Sequence, residues 1–247
     1  MNERFIDPSA EIGEGCTLGY GVVIEDSVRL GPGCSVGHHA VIHAGAQVGA
    51  NCRIEDHAVL GRRPRPAPTS TVKVPQALPP LIIGAGTSIG TGAVVYTGST
   101  IGRECLIGDL TFVREQVQIG DRVIVGTHVT VENAVSIGAN VKIQTGAYIT
   151  AWTTIEADCF IAPCVVTTND NYMGRTERRF AERGGALIRR GARVGANVTL
   201  LPNVEVGAEA FVAAGSVVTK PVLPATLVMG SPAKSRRAVP EDEFVGK

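Results

Sequence analysis

Counted in sixes from Ile6, the chain reads Ile6, Ile12, Leu18, Ile24, Leu30, Val36, Ile42, Val48, Ile54 and Leu60 without a miss. A second run starts at Ile83 and holds to Ile161, and a third runs from Ile188 to Val218. A period of six fits neither an amphipathic helix, whose apolar face returns about every 3.6 residues, nor an alternating hairpin strand. It fits short strands joined by tight turns, each six residues making one flat side of a coil. A repeat of fixed period defines the fold before any other feature is weighed.

The position two before each aliphatic is constrained as well: Ala10, Cys16, Val22, Val28, Cys34, Ala40, Ala46, Cys52 and Ala58 in the first run. Residues two apart in a strand share a face, so both point into one narrow interior. Gly often follows the aliphatic (Gly13, Gly19, Gly31, Gly37, Gly84, Gly90), as a turn that needs a permissive backbone would require. Three sides make one coil, so Cys16, Cys34 and Cys52, spaced by 18, stack above one another. Five of the six cysteines occupy the small inward position and read as buried hydrophobes in a reducing compartment, whereas Cys164 falls outside it.

The beat fails twice. Leu60 to Ile83 is 23 residues and Ile161 to Ile188 is 27, neither a multiple of six. Each gap must hold a loop that leaves the coil, at about 61–82 and 167–187, and insertions in a solenoid often build its binding surface. The first is Pro-rich and reads as an extended arm. The second opens with TTNDNYMGRTERR, and the stretch 167–193 sets seven arginines against two glutamates. Guanidinium forks match phosphate oxygens, which makes that stretch a phosphate-binding candidate. The coiled region is expected over 1–220, with 221–247 as a C-terminal extension.

Composition narrows the function classes. A mean hydropathy of +0.17 excludes a disordered chain. The formal net charge is zero, so the whole molecule is not built to bind nucleic acid by electrostatics. MNERFIDPSAEIG lacks an apolar leader core, and no stretch approaches the ~18 apolar residues of a membrane span. A cytoplasmic protein is the expectation.

The thirty in-phase positions resemble the left-handed parallel β-helix of the hexapeptide-repeat acyltransferases. The resemblance supplies the rare left hand and implies about ten coils. It also implies a homotrimer with active sites in clefts between neighbouring prisms. GANVTLLPNVEVGAEAFVAAGSVVTKPVLPATLVMGSPAK is similar to the closing segment of the acetyl-CoA-dependent branch. That implies acetyl-CoA as co-substrate and no metal, with Ala213, Gly215, Ser216, Lys220 and Lys234 as the cofactor-binding positions. A narrower resemblance, to the nucleotide-sugar N-acetyltransferases of polysaccharide biosynthesis, lies in Lys142, Ile143 and Gln144 and in Thr168 and Asn169. The chain departs from that pattern at Gly174, which precedes Arg175 where Pro is usual.

The implied reaction moves acetyl from the CoA thioester to the amine of a nucleotide-linked amino sugar. It needs a neutral amine, an oxyanion site such as corner N–H groups, and removal of the ammonium proton. A general base contributes typically about 10²–10⁴-fold. His128, the only histidine in the middle and C-terminal coils, is the first candidate base. Glu115 is the second, because it falls near the catalytic His of the lipid A-type UDP-sugar O-acyltransferases. Asn133, Gln144, Asn169, Asp170 and Asn171 are candidates to hold the sugar, although Asn and Asp are also ordinary turn formers. Arg175 is the candidate for a nucleotide phosphate.

Three rival readings follow from the same residues. An acyl-carrier-protein-dependent UDP-sugar O/N-acyltransferase of the lipid A type fits the order prism, loop, prism, but its catalytic His is missing. A γ-class carbonic anhydrase would need three converging histidines. His38, His39, His43 and His57 supply the residue type, and His39 and His57 fit a surface ladder better. A non-catalytic scaffold would gain nothing from two irregular loops.

Overall fold

The computed structural model describes residues 4–70 and 74–246. Strands of mostly two residues follow one another around three faces. Face 1 stacks eleven strands from Phe5–Ile6 to Val217–Val218, and face 2 stacks ten from Glu11–Ile12 to Glu205–Val206. Face 3 stacks twelve, from Thr17–Leu18 to Lys234–Ala238. Neighbours are parallel and offset by one coil: Phe5 pairs with Val23, Glu11 with Arg29 and Thr17 with Ser35. This is the all-β parallel β-helix expected from the beat, in the left-handed form that the family resemblance implies. The longest stack slightly exceeds the expected ten because face 3 is extended by Thr226–Met229 and by the antiparallel Lys234–Ala238.

The core is a set of vertical columns. On face 1, Ile24, Ile42, Leu60, Val95, Val113, Val131 and Ile149 stand above one another fully buried. Burying each such side chain is worth roughly 1.5–3 kcal/mol. β-Branched residues suit the task because their stiff side chains pack on a pleated surface. The small inward position has a second duty. Cys34 Sγ donates to Gly49 O at 3.1 Å, Cys105 Sγ to Gly120 O at 3.1 Å and Thr87 Oγ1 to Gly102 O at 2.9 Å. Ser99 and Thr111 make the equivalent bonds to Arg114 O and Gly126 O. At these five positions the one donor satisfies a corner carbonyl of the next coil, whereas Thr153 Oγ1 at the same position meets Thr167 Oγ1.

The glycines after the aliphatics have a different reason from the one expected. Their φ is not in the left-handed region, which falls two residues later, at Gly15 and Gly33 and at non-Gly residues such as His39, Asn51, Gln116 and His128. What they provide is closeness between coils. A Cβ on Gly31 would lie 2.5 Å from Ala50 N, and one on Gly102 would lie 2.5 Å from Gly120 C.

Both excursions leave the same edge, between faces 1 and 2. The first separates Val59–Arg62 from Ile82–Ile83, and residues 71–73 of that arm lie outside the described residues. The second separates Val166–Thr167 from Leu187–Ile188. Pairing resumes in phase after each, with Val59 on Val94 and Val166 on Thr199. Thr167 fills an aliphatic position, and its buried Oγ1 accepts the Thr150 N–H at 2.8 Å. No helix among the described residues is long and apolar enough to cross a membrane.

Two measurements check this packing. Burial pushes the thiols of Cys34 and Cys159 up to about 11 and about 12, while Cys164 is exposed. A thiol reagent should therefore label Cys164 first in the native protein and reach all six cysteines only after denaturation. Gly102→Ala should lower unfolding stability by about 1–3 kcal/mol, read as a fall in denaturant midpoint. An unchanged midpoint would show that the coils have slack at this corner.

Candidate functional site

Along the edge between faces 1 and 2, corner residues stack coil upon coil. Ala134 N–H donates to Glu115 O and Trp152 N–H to Asn133 O. Glu115, Asn133 and Ala151 thus occupy one corner position on successive coils and Gln116, Ala134 and Trp152 the next. On the following coil the chain leaves the corner after Asn169 and returns at Gly184, whose N–H donates to Asn169 O. A cleft of about 830 Å³ opens over this ladder. Glu132, Asn133, Tyr148 and Trp152 form its floor, Asn169 and Asp170 one wall, and Arg179, Phe180 and Arg183 its roof.

The roof is the segment that opens with TTNDNYMGRTERR, and Asp170 is its hub. Its carboxylate accepts the N–H of Tyr172 at 2.8 Å and of Gly174 at 3.1 Å, and Arg179 Nε lies 3.0 Å away. Burial opposes charge on Asp170, but the two N–H groups and the guanidinium outweigh it and hold the carboxyl below its usual range. The short helix Arg179–Glu182 follows, and the Arg183 guanidinium sits 4.6 Å over the Trp152 ring and 5.1 Å over Phe180. Asn203 Nδ2 donates to Glu182 O at 2.8 Å and fastens the far side of the loop to the prism.

A charged network lies behind the floor. The Arg114 fork grips both oxygens of Glu115, at 2.8 and 2.9 Å, and reaches Glu132 at 3.3 Å. The Tyr148 hydroxyl donates to the other oxygen of Glu132 at 3.3 Å. Burial, then Glu132, pushes the Tyr148 phenol up. Glu115 is 2% exposed and faces its arginine, not the cleft, so it positions Arg114 and Glu132.

Asn133, Asn169 and Asp170 are brought together in this cleft. Asn171 and Arg175 are exposed and lie outside its lining. His128 and Gln144 are on the opposite margin of face 1, at the edge with face 3. His128 is exposed there with φ 56°, in a stack with Gly146, Cys164, Asn197 and Gly215. Ala213 and Gly215 head this second edge. Ser216 is buried, donating to Ala213 O at 2.7 Å and accepting Gly230 N–H at 3.1 Å, so it locks the C-terminal turn. Lys220 is exposed beyond the last face 1 strand, and Lys234 is exposed in Lys234–Ala238.

The arginine cluster of 167–193 is not a free phosphate site. Arg178 pairs with Glu182, Arg179 with Asp170, Arg189 with Glu156 and Glu205, Arg190 with Asp158 and Arg193 with Glu243. Asp170 and Glu182 within the stretch, and Glu156, Asp158, Glu205 and Glu243 outside it and invisible to a local charge count, neutralise five of its seven arginines. The N-terminal histidines are likewise engaged separately. His39 and His57 stack at 5.3 Å as a surface ladder, His38 Nδ1 accepts Tyr20 N–H, and His43 meets Glu25 at 3.0 Å. Among the described residues no three His, Cys, Asp or Glu side chains are placed to hold a metal ion.

Sequence reasoning missed Glu132, Tyr148, Trp152 and Phe180. Winding the chain by 18 residues would have set Glu132 above Arg114 and Trp152 above Ala134. The roof contacts of Phe180 and Arg183 carry no such signal, because the loop is out of phase.

The loop should open in acid. The pKa of Asp170 is lower folded than unfolded, so its contribution is present at neutral pH and is lost as pH falls below the ordinary carboxylate range. Trp152, the only tryptophan, lies under Arg183 and should change its emission below about pH 4. Asp170→Asn should show the acid-type emission already at pH 7, and a variant with wild-type emission and titration would remove Asp170 as the hub.

Comparison with known proteins agrees with this architecture. The family described as "Bacterial transferase hexapeptide (six repeats)" matches residues 27–62, 98–133, 134–169 and 185–220, more than half of the chain. "Hexapeptide repeat of succinyl-transferase" matches 80–108 and 116–151. The serine acetyltransferase of Buchnera aphidicola subsp. Acyrthosiphon pisum is 38% identical over 81 residues, covering 33% of this chain and 27% of that protein. A putative serine acetyltransferase of Schizosaccharomyces pombe is 47% identical over 55 residues, covering 22% and 20%. The chain thus spans about a quarter or less of the length of these curated relatives. Among solved structures, the UDP-N-acetylglucosamine acyltransferase from Campylobacter jejuni is 15% identical, over 95% of this chain and 73% of that one, with a TM-score of 0.44. A mutant GDP-perosamine N-acetyl transferase from Caulobacter crescentus, in complex with CoA and GDP-perosamine, is 18% identical over 95% and 56%, with a TM-score of 0.30. By the extent of the repeat match and by the coil it folds into, the chain belongs to the bacterial hexapeptide transferase family.

Proposed function

We propose that this protein transfers an acetyl group from acetyl-CoA to the amine of a nucleotide-linked amino sugar. The observation that carries the reading is the cleft between faces 1 and 2. It sets the amides of Asn133 and Asn169 beside the carboxylates of Glu132 and Asp170 and the rings of Tyr148 and Trp152. Amides suit sugar hydroxyls and ring faces suit the apolar faces of a sugar, while the two carboxylates, already paired with Arg114 and Arg179, hold the cleft's lining in place.

The donor is assigned to the other margin of face 1. Ala213 and Gly215 stand four coils from His128 on one continuous edge, about 19 Å at ~4.8 Å per coil, a distance an extended CoA arm spans. Gly215 has open space where a Cβ would stand. A homotrimer supplies the juxtaposition. The outward residues of face 1 are largely apolar (Phe5, Val23, Val41, Val59, Phe112, Val166), whereas those of face 2 include Glu11, Arg29, Gln47 and Gln118. Three prisms packed on face 1 bring the His128 edge of one to the cleft edge of the next. The amine attacks the thioester carbonyl, the tetrahedral intermediate collapses with expulsion of the CoA thiolate, and His128 takes the proton of the new ammonium.

The local identity with serine acetyltransferases supports a second reading, in which the acceptor is a hydroxyl. A hydroxyl is a far weaker nucleophile than an amine, so the base would then be indispensable.

Calorimetric titration with acetyl-CoA should give saturable binding at about one site per chain, and absence of heat at several temperatures would remove the acetyl donor from the reading. In a thiol-release assay across amino-sugar nucleotides, Asn169→Ala should raise the acceptor KM by about tenfold, the cost of one hydrogen bond to a polar group, with acetyl-CoA affinity unchanged. His128→Ala should lower kcat by about 10²–10⁴-fold. A loss of only a few-fold would assign the proton to the departing thiolate. Thiol release with serine and none with any amino sugar would select the hydroxyl reading.

A further inference from the structure

The Pro-rich arm encloses a second cleft, of about 780 Å³, lower on the same edge. Arg29, Arg62, Arg63 and Arg65 line it, together with His43 and Glu25. We infer that this cleft is an anion site for a phosphorylated small molecule, with a nucleoside diphosphate as the class that fits its charge and volume.

The charge balance is the first argument. Both oxygens of Glu25, the one acid in the lining, are taken by His43 Nδ1 at 3.0 Å and by Ala44 N–H at 3.0 Å. Glu11 pairs with Arg29 at 3.3 Å. Arg62, Arg63 and Arg65 have no carboxylate partner among the described residues, although they lie within four positions of one another. The contrast with the other loop is direct, since there all but two of the seven arginines meet a carboxylate. Three unneutralised guanidinium groups held together repel one another, and an anion between them relieves that repulsion.

Rigidity is the second argument. Thr97 N–H donates to Arg62 O at 3.0 Å and Thr97 Oγ1 to Pro79 O at 2.9 Å, so one residue fastens both ends of the arm. Leu81 is buried in the prism, and Pro64, Pro66 and Pro68 each fix φ between the arginines and the tip. The Arg62 guanidinium lies 5.6 Å over the Tyr96 ring. The backbone that carries the arginines is held at both ends, which reduces the freedom lost on binding. Planar forks suit phosphoryl oxygens, and the volume lies in the range of about 300–1,000 Å³ usual for small-molecule sites.

The test is calorimetry at low ionic strength on the full chain, with inorganic pyrophosphate and UDP as probes. Saturable binding at one site per chain is expected. The double variant Arg63→Ser/Arg65→Ser should weaken it by roughly tenfold or more, whereas Arg53→Ser, exposed on face 3 and outside both clefts, should leave it unaltered. UDP binding tighter than pyrophosphate would add a nucleoside contact, and equal affinities would assign the site to the phosphoryl groups alone. Both outcomes support the site. Failure of pyrophosphate and UDP to saturate, or wild-type binding in the double variant, would overturn it. Titrating the double variant with acetyl-CoA separates the two readings: lost pyrophosphate binding with retained acetyl-CoA affinity assigns the anion to this cleft, and equal loss of both would overturn a separate site.

Discussion

Everything in this molecule depends on one spacing, the contact between a residue and the residue one coil later. Parallel strands two residues long form too few hydrogen bonds to persist alone. Stacked at this interval, each strand is paired on both sides and each aliphatic side chain rests on another in an unbroken column. The same interval explains the small inward residues, which pass a donor up to the next corner carbonyl. It also explains the glycines, which let successive backbones approach. A substitution anywhere on the inside is therefore felt by three coils at once.

Such a prism is uniform, and uniform surfaces make poor sites. The chain breaks the uniformity twice, and both times at the edge between faces 1 and 2. The two excursions do different things there. The C-terminal one folds back on itself through Asp170 and neutralises nearly all of its arginines, leaving a cleft of amides, carboxylates and aromatic rings. The N-terminal one is stiffened by proline, fastened at Thr97, and leaves its arginines unspent. A sandwich of side chains lies between the two clefts: Tyr96 has Arg62 over its ring at 5.6 Å and Arg114 at the same distance. Arg114 in turn holds Glu115 and Glu132, so the two halves of the edge share one set of packed charges.

A small part of the candidate site was legible in the sequence and most of it was not. Asn133, Asn169 and Asp170 were candidates to hold the sugar by hydrogen bonds, Asn169 alone of the three lying in the resembling motif, and they share a cleft. Glu115 was chosen from a family resemblance and is buried against Arg114. The difference is that a corner position does not say whether a carboxylate points out or is captured by the residue beside it. The reading of 167–193 as a phosphate-binding stretch counted charge locally, whereas five of its seven arginines pair with carboxylates, of which Glu156, Asp158 and Glu205 arrive from other coils and Glu243 from the C-terminal extension. His128 and Gln144 were grouped with the asparagines although the coil sets them on the far margin of face 1.

The sequence alone determined the fold: the period of six, the small residue two before each aliphatic, and the two interruptions. These are local features repeated until only one geometry satisfies them all. Tertiary structure decided which charges are spent and which remain. An ion pair depends on distance across coils and on the path of a loop that obeys no period, and neither is written in the local order of residues.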